Sequence, residues 1–129
     1  MLDLPFNHTV TIILITCIVS FIAFSKETVM NRLIFWPPAL QRGQYDRFIT
    51  HGFIHADGAH LLFNMITLFF FGSVIESFYR QYLYDLGFIL FYLGGLIAAI
   101  LPSYLKHKND ARWASLGASG AVSAVLFAY

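Results

Sequence analysis

Three residues of this sequence have the types and spacing that acyl transfer uses: Ser119 within Gly117-Ala118-Ser119-Gly120, and His60 with Asn64 in His60-Leu61-Leu62-Phe63-Asn64. Both stretches open strongly apolar segments, which predicts that each sits at the N-terminal end of a helix. A serine in a glycine-flanked turn carries a small hydroxyl on open backbone, where amide dipoles at a helix start stabilise a developing oxyanion. Residues four apart share a helix face, so His60 and Asn64 can aim two side-chain donors at one oxygen. A nucleophile and donors for the charged carbonyl oxygen are parts that acyl transfer requires. Alone, Gly-x-Ser-Gly says little, because small residues also mark helix crossings in membranes.

His51, His55 and His60 raise a metal reading, since His51 and His55 are four apart. Gly52, Asp57 and Gly58 interrupt any helix there, and no carboxylate or thiolate clearly completes a tetrahedral set. The expectation is no metal and no cofactor. His51 and His55 are then expected to hydrogen-bond, tying the long loop onto the second helix, with His8 and His107 interfacial or exposed.

The elements that must position these residues are membrane elements. The 129 residues are 58% hydrophobic, 18% aromatic and 12% charged, with a mean hydropathy of +0.67, more apolar side chain than a soluble fold hides. A net charge of +1 does not support a nucleic-acid partner, which needs a clustered basic surface. Cys17 is the only cysteine, so there is no internal disulfide framework.

The apolar run Val10 to Phe24, extended by His8 and Thr9, predicts a first transmembrane helix over about 8–24. A cleaved signal peptide fits less well, because the leader Met1 to Asn7 has no Lys or Arg and contains Asp3. A long loop over 25–57 follows, carrying Lys26, Arg32, Arg42 and Arg47. Its Leu33 to Trp36 stretch, stopped by Pro37 and Pro38, suits the membrane interface or an ordinary surface loop.

The second helix is expected over 58–79, with His60, Asn64 and Thr67 on one stripe and Glu76 near the far end, within reach of headgroups or a loop partner. A tight turn around Arg80 and Gln81 leads to a third helix over 82–105, whose Gly95-x-x-x-Ala99 spacing reads as close helix packing. After the charged loop Lys106 to Arg112, a fourth helix is expected over 115–129. From Leu116 to Tyr129 its rise is about 21 Å, short of a bilayer core of roughly 30 Å, so a chain incomplete at its C-terminus is expected. Alternating helices would put Lys26, Arg32, Arg42, Arg47, Lys106, Lys108 and Arg112 on one side, which the positive-inside rule alone assigns to the cytoplasm.

From about Tyr45 to the end the sequence resembles the rhomboid intramembrane serine proteases. The residues that carry the resemblance are Arg47-Phe48-Ile49-Thr50-His51-Gly52-Phe53-Ile54-His55, His60-Leu61-Leu62-Phe63-Asn64-Met65, Gly72, Glu76 and Ser115-Leu116-Gly117-Ala118-Ser119-Gly120-Ala121-Val122. The resemblance implies that Ser119 is the nucleophile. His60 and Asn64 would be oxyanion donors beside the Ser119 amide, and Glu76, Arg47, His51, His55, Gly117 and Gly120 would hold structure. It implies an all-α polytopic membrane helix bundle, with residues 1–129 supplying four transmembrane helices of an expected six. The serine would lie below the outer surface in a water-filled cavity.

The implied function is an intramembrane serine endopeptidase that cleaves transmembrane or juxtamembrane segments by a Ser-His dyad, without metal or nucleotide. Its partners would be transmembrane protein substrates and the lipid bilayer. Its place would be a multi-pass position in the membrane, the cell inner membrane if the source is bacterial, with the first loop outside the cytoplasm against the count of basic residues. Two positions depart from the family. Asp46 precedes Arg47 where the family often has Trp, and no histidine follows Ser119, whereas the family's base lies on its sixth helix. His60 as base is a poorer fit than His60 as donor beside Asn64. A serine without a base is a weak nucleophile, so this chain alone is expected to be inactive. The alternative is a catalytically inactive rhomboid-like protein that binds transmembrane clients.

Overall fold

Apolar runs of this length have no water to satisfy their peptide groups in a bilayer, and a helix closes those hydrogen bonds within the segment. The computed structural model describes residues 8–83 and 87–128. The elements in chain order are α1 (His8–Ser25), α2 (Glu27–Leu33), α3 (Pro37–Gln41), α4 (Arg47–Thr50) running into a 3-10 turn (His51–Phe53), α5 (Gly58–Leu83), α6 (Gly87–His107) and α7 (Ser119–Ala128). The only pairing of extended backbone among the described residues is one antiparallel bridge between Phe35 and Ser115. The leader Met1 to Asn7 and the last residue, Tyr129, lie outside the described residues.

Among the described residues, three helices are long and apolar enough to cross a membrane: His8–Ser25, Gly58–Phe78 and Gly87–His107. The 10 residues of α7 rise about 15 Å, half of a crossing. Large apolar side chains such as Phe21, Phe63, Phe70, Leu90 and Phe127 are exposed on the outside of the bundle, a surface that suits lipid rather than water.

Several boundaries differ from the sequence expectation. The second helix does not turn at Arg80 and Gln81 but continues to Leu83. The fourth begins at Ser119, not 115, because Ser115 is paired with Phe35 and Gly117 adopts φ +108°, a left-handed conformation that stops a helix from starting earlier. The long loop is also largely helical, holding α2, α3, α4 and the 3-10 turn.

Helix α1 runs antiparallel to α5. Its N-terminus rests on Glu76, whose carboxylate accepts the His8 N–H, the Thr9 N–H and the Thr9 hydroxyl, each at 2.8 Å. This is an N-terminal cap supplied by another helix, favoured by the dipole of α1. Glu76 is therefore buried against α1 and does not reach headgroups. A Cβ on Gly72 would stand 2.7 Å from Thr9 Cγ2, so this crossing needs the glycine.

Small residues also bring α6 against α7. A Cβ on Gly95 would lie 3.2 Å from Ala121 Cα, and one on Gly120 would collide with Ala99 Cβ. The Gly95-x-x-x-Ala99 stripe is thus the seam along which α7 lies.

The connection between α1 and α5 is stitched to the α6–α7 loop. Phe35 and Ser115 exchange backbone hydrogen bonds at 2.9 and 3.0 Å, Trp36 Nε1 donates to the Ala111 carbonyl at 2.8 Å, and Gln41 Nε2 donates to the Lys108 carbonyl at 3.0 Å. The Phe35 ring, fully buried, meets Phe48, His51, Tyr104 and Trp113 edge-on. These contacts gather the start of α5, the end of α6 and the start of α7 at one end of the bundle.

Candidate active site

The start of α7 is built by residues far away in sequence. The Gly117 N–H donates to the His51 carbonyl at 2.8 Å, and the Ala118 N–H donates to His55 Nε2 at 3.2 Å. The first helical bond runs from the Val122 N–H to the Ala118 carbonyl at 2.9 Å, so Ser119 is the first residue inside the helix. Amides at the first positions of a helix have no acceptor within it and point outward with the positive end of the dipole.

His55 is fully buried and has a defined tautomer. Because Nε2 accepts from Ala118, the ring proton sits on Nδ1 and is donated to Ser20 Oγ at 3.2 Å; that hydroxyl donates onward to the Phe53 carbonyl at 2.9 Å. Burial, helped by nearby His60 and opposed by Asp57, pushes the His55 imidazole down to about 4. His51 is also buried and pushed below the usual imidazole range, with Nδ1 2.9 Å from the Arg47 carbonyl. Both histidines therefore tie the loop to the start of α7, and His55 ties it to α1, rather than to the second helix.

At the start of α5, Asp57 Oδ1 accepts the His60 backbone N–H at 2.9 Å, capping the helix, and lies 3.2 Å from His60 Nδ1. The free ring nitrogen of His60 is then Nε2. His60, Asn64 and Ser119 line one cavity of about 240 Å³ together with His55, Ala56, Leu116 and Gly117. Ser119 and His60 are exposed, and Asn64 is half-buried. Thr67, expected on the same stripe, returns its hydroxyl to the Phe63 carbonyl at 3.0 Å and does not line this cavity. On its other side Ser119 borders a second cavity of about 200 Å³, which includes Ser103 and Ala99 of α6.

Gly117 supplies the left-handed turn before the serine, and Gly120 the close approach to α6. Arg47 is buried away from the cavity. Its Nη1 donates to the Asn31 and Ile34 carbonyls at 3.0 and 2.7 Å, and its Nε donates to Gln44 Oε1 at 2.9 Å, so it anchors the end of α2. Asp46, in the position that departs from the family, pairs with Arg32 at 3.0 Å.

Two contributors escaped the sequence reading. Asp57 had a local signal, an acid just before a helix start and three residues ahead of His60. Ser20 had none, since its partner is 35 residues away. Among the described residues no three His, Cys, Asp or Glu side chains converge as metal ligands.

The arrangement is that of a membrane-embedded helical bundle presenting a serine at a helix N-terminus opposite two polar side chains. The Rhomboid domain family model matches residues 42–129. RHOMBOID-like protein 12, mitochondrial, of Arabidopsis thaliana is 33% identical, with 80% of this chain and 34% of that protein covered. Rhomboid protease GlpG of Salmonella paratyphi A is 32% identical, with 89% of this chain and 40% of that protein covered. Rhomboid protease GlpG of Enterobacter sp. is 31% identical over the same shares.

The chain belongs to the rhomboid family, whose relatives here include proteins named as proteases. Family and apolar helices together make it a multi-pass integral membrane protein. It spans well under half the length of these relatives.

Proposed function

We propose that the complete protein is an intramembrane serine endopeptidase and that Ser119 is its nucleophile. The observation that carries this reading is the shared cavity, in which Ser119 faces His60 and Asn64 across the α5–α7 groove. Ser119 Oγ attacks the scissile carbonyl carbon and gives its proton to a base. The carbonyl oxygen becomes an oxyanion held by the Ser119 N–H, the Asn64 amide and His60 Nε2–H. Because His60 Nδ1 faces Asp57, Nε2 donates only when the ring carries both protons. Collapse breaks the C–N bond, the amine leaves with the proton, and water then hydrolyses the ester.

The base, on this reading, is a histidine supplied by the region that the longer relatives possess. On this reading residues 1–129 are a single rhomboid-like domain incomplete at the C-terminus, α7 continues as a fourth crossing of six, and the chain alone is inactive. Substrates are transmembrane or juxtamembrane segments, entering from the bilayer. The first loop lies outside the cytoplasm, and in a bacterium the protein sits in the inner membrane.

The test is labelling by a fluorophosphonate of a chain extended through the region that the longer relatives possess. Labelling that disappears in Ser119→Ala supports the reading. Labelling that persists in Ser119→Ala contradicts it, and absent labelling with retained binding of a transmembrane peptide indicates an inactive client-binding relative.

A further inference from the structure

Arg47 is 4% exposed, yet among the described residues its hydrogen bonds go to neutral acceptors: the carbonyls of Asn31 and Ile34 and the side-chain oxygen of Gln44. A buried guanidinium on neutral partners keeps its whole charge in a poorly screened place. It lines a cavity of about 550 Å³ together with Asn31, Arg32, Ile34, Trp36 and Ala114. Arg32 is half-exposed and pairs with Asp46, and Arg42 stands 5.5 Å over the Trp36 ring. Two guanidiniums, Arg32 and Arg47, thus line a space beside one acid, with Arg42 stacked behind Trp36 and outside the lining, and such a space suits an anion.

A second opening shows what kind of anion. Ile15 and Val19 of α1 line an apolar groove of about 240 Å³ with Leu33, Thr50 and Phe53. The Thr50 hydroxyl is turned away to the Leu33 carbonyl at 2.9 Å. At 1.5 Å per residue, Val19 and Ile15 lie about 9 and 15 Å from the Ser25 end of α1, at acyl-chain depth. Groove and cavity draw on neighbouring positions of α2 and α4: Leu33 of the groove is next in sequence to Ile34 of the cavity, and Thr50 is one turn from Arg47.

We propose that cavity and groove together bind an anionic phospholipid, with the phosphate in the Arg32–Arg47 cavity and an acyl chain along the α1 groove. A free phosphate would use only the cavity. The bound lipid would brace the Phe35–Ser115 bridge, because Ala114 belongs to the cavity wall. Nothing in this binding depends on Ser119, so it stands or fails separately from proteolysis.

The test uses this chain in phosphatidylcholine bilayers with Trp113→Phe, which leaves Trp36 the sole indole of the two. Quenching of Trp36 is compared for acyl-brominated phosphatidylglycerol and acyl-brominated phosphatidylcholine at equal mole fraction. The anionic lipid should be preferred about fivefold, the factor expected for one arginine at a membrane surface. Arg32→Gln should erase most of that preference, and Asp46→Asn, which removes the competing carboxylate, should raise it. Equal quenching by the two lipids, a preference untouched by Arg32→Gln, or a fall in both variants would overturn the site. Release of the lipid by inorganic phosphate would convert it to a free-phosphate site and equally overturn the proposal.

Discussion

His55 shows how much the turn before Ser119 depends on one neutral imidazole. Its Nε2 can accept the Ala118 N–H only while unprotonated. A histidine whose folded value is depressed from 6.5 to about 4 binds fewer protons folded than unfolded between those values. Its contribution to stability is therefore complete above pH 6.5 and is lost as pH falls toward 4. Thermal unfolding in bilayers should show a melting temperature that drops over this window. His55→Gln should unfold more easily at neutral pH and show a shallower drop, His51 retaining part of it; an unchanged slope would remove His55 from the account.

Arg47→Met should cost about 1–3 kcal/mol, because it strips the partner from two part-buried carbonyls, and denaturant unfolding measures that cost. At this scale the sequence was legible where interactions are local. His60 and Asn64 share a face by helix geometry alone, whereas the Ala118–His55 bond links residues 63 apart and leaves no periodic trace.

Between elements, glycine positions decide how closely helices approach. Gly120→Ala drives a methyl onto Ala99 and should destabilise by about 1–3 kcal/mol, whereas Gly94→Ala, with open space around it, should be neutral or slightly stabilising. Ala99→Gly in the Gly120→Ala background should recover most of the loss. A pair that behaves additively would show that α6 and α7 do not meet there.

The small-residue stripe of α6 was readable because its spacing is a property of one helix. The start of α7 was not, since it is set by the bridge to Phe35, 80 residues earlier. The connection after α1 read as a loop because its helices are 4 to 7 residues long, too short for a periodic pattern, and are held by contacts from outside.

For the molecule as a whole, composition placed the chain in the membrane class, and three helices among the described residues have the length and hydropathy of crossings. The two basic loops are bound to each other through Trp36–Ala111 and Gln41–Lys108, so they share one side of the membrane. In a Cys17→Ser background, cysteines placed at Gln44 and at Asn109 should react with an impermeant maleimide from the same compartment; reaction from opposite compartments would refute this topology. Which compartment that is depends on charge balance over the whole protein, which no single helix encodes.

The central claim is that Ser119, His60 and Asn64 form one reacting constellation. It is tested most directly by cleavage of a transmembrane substrate in proteoliposomes, using a chain extended through the region that the longer relatives possess. Ser119→Ala should abolish turnover, while His60→Ala and Asn64→Ala should each lower kcat about 10²–10³-fold with a smaller change in KM, as loss of an oxyanion donor does. Undiminished cleavage by Ser119→Ala, or full kcat in both His60→Ala and Asn64→Ala, would contradict the account.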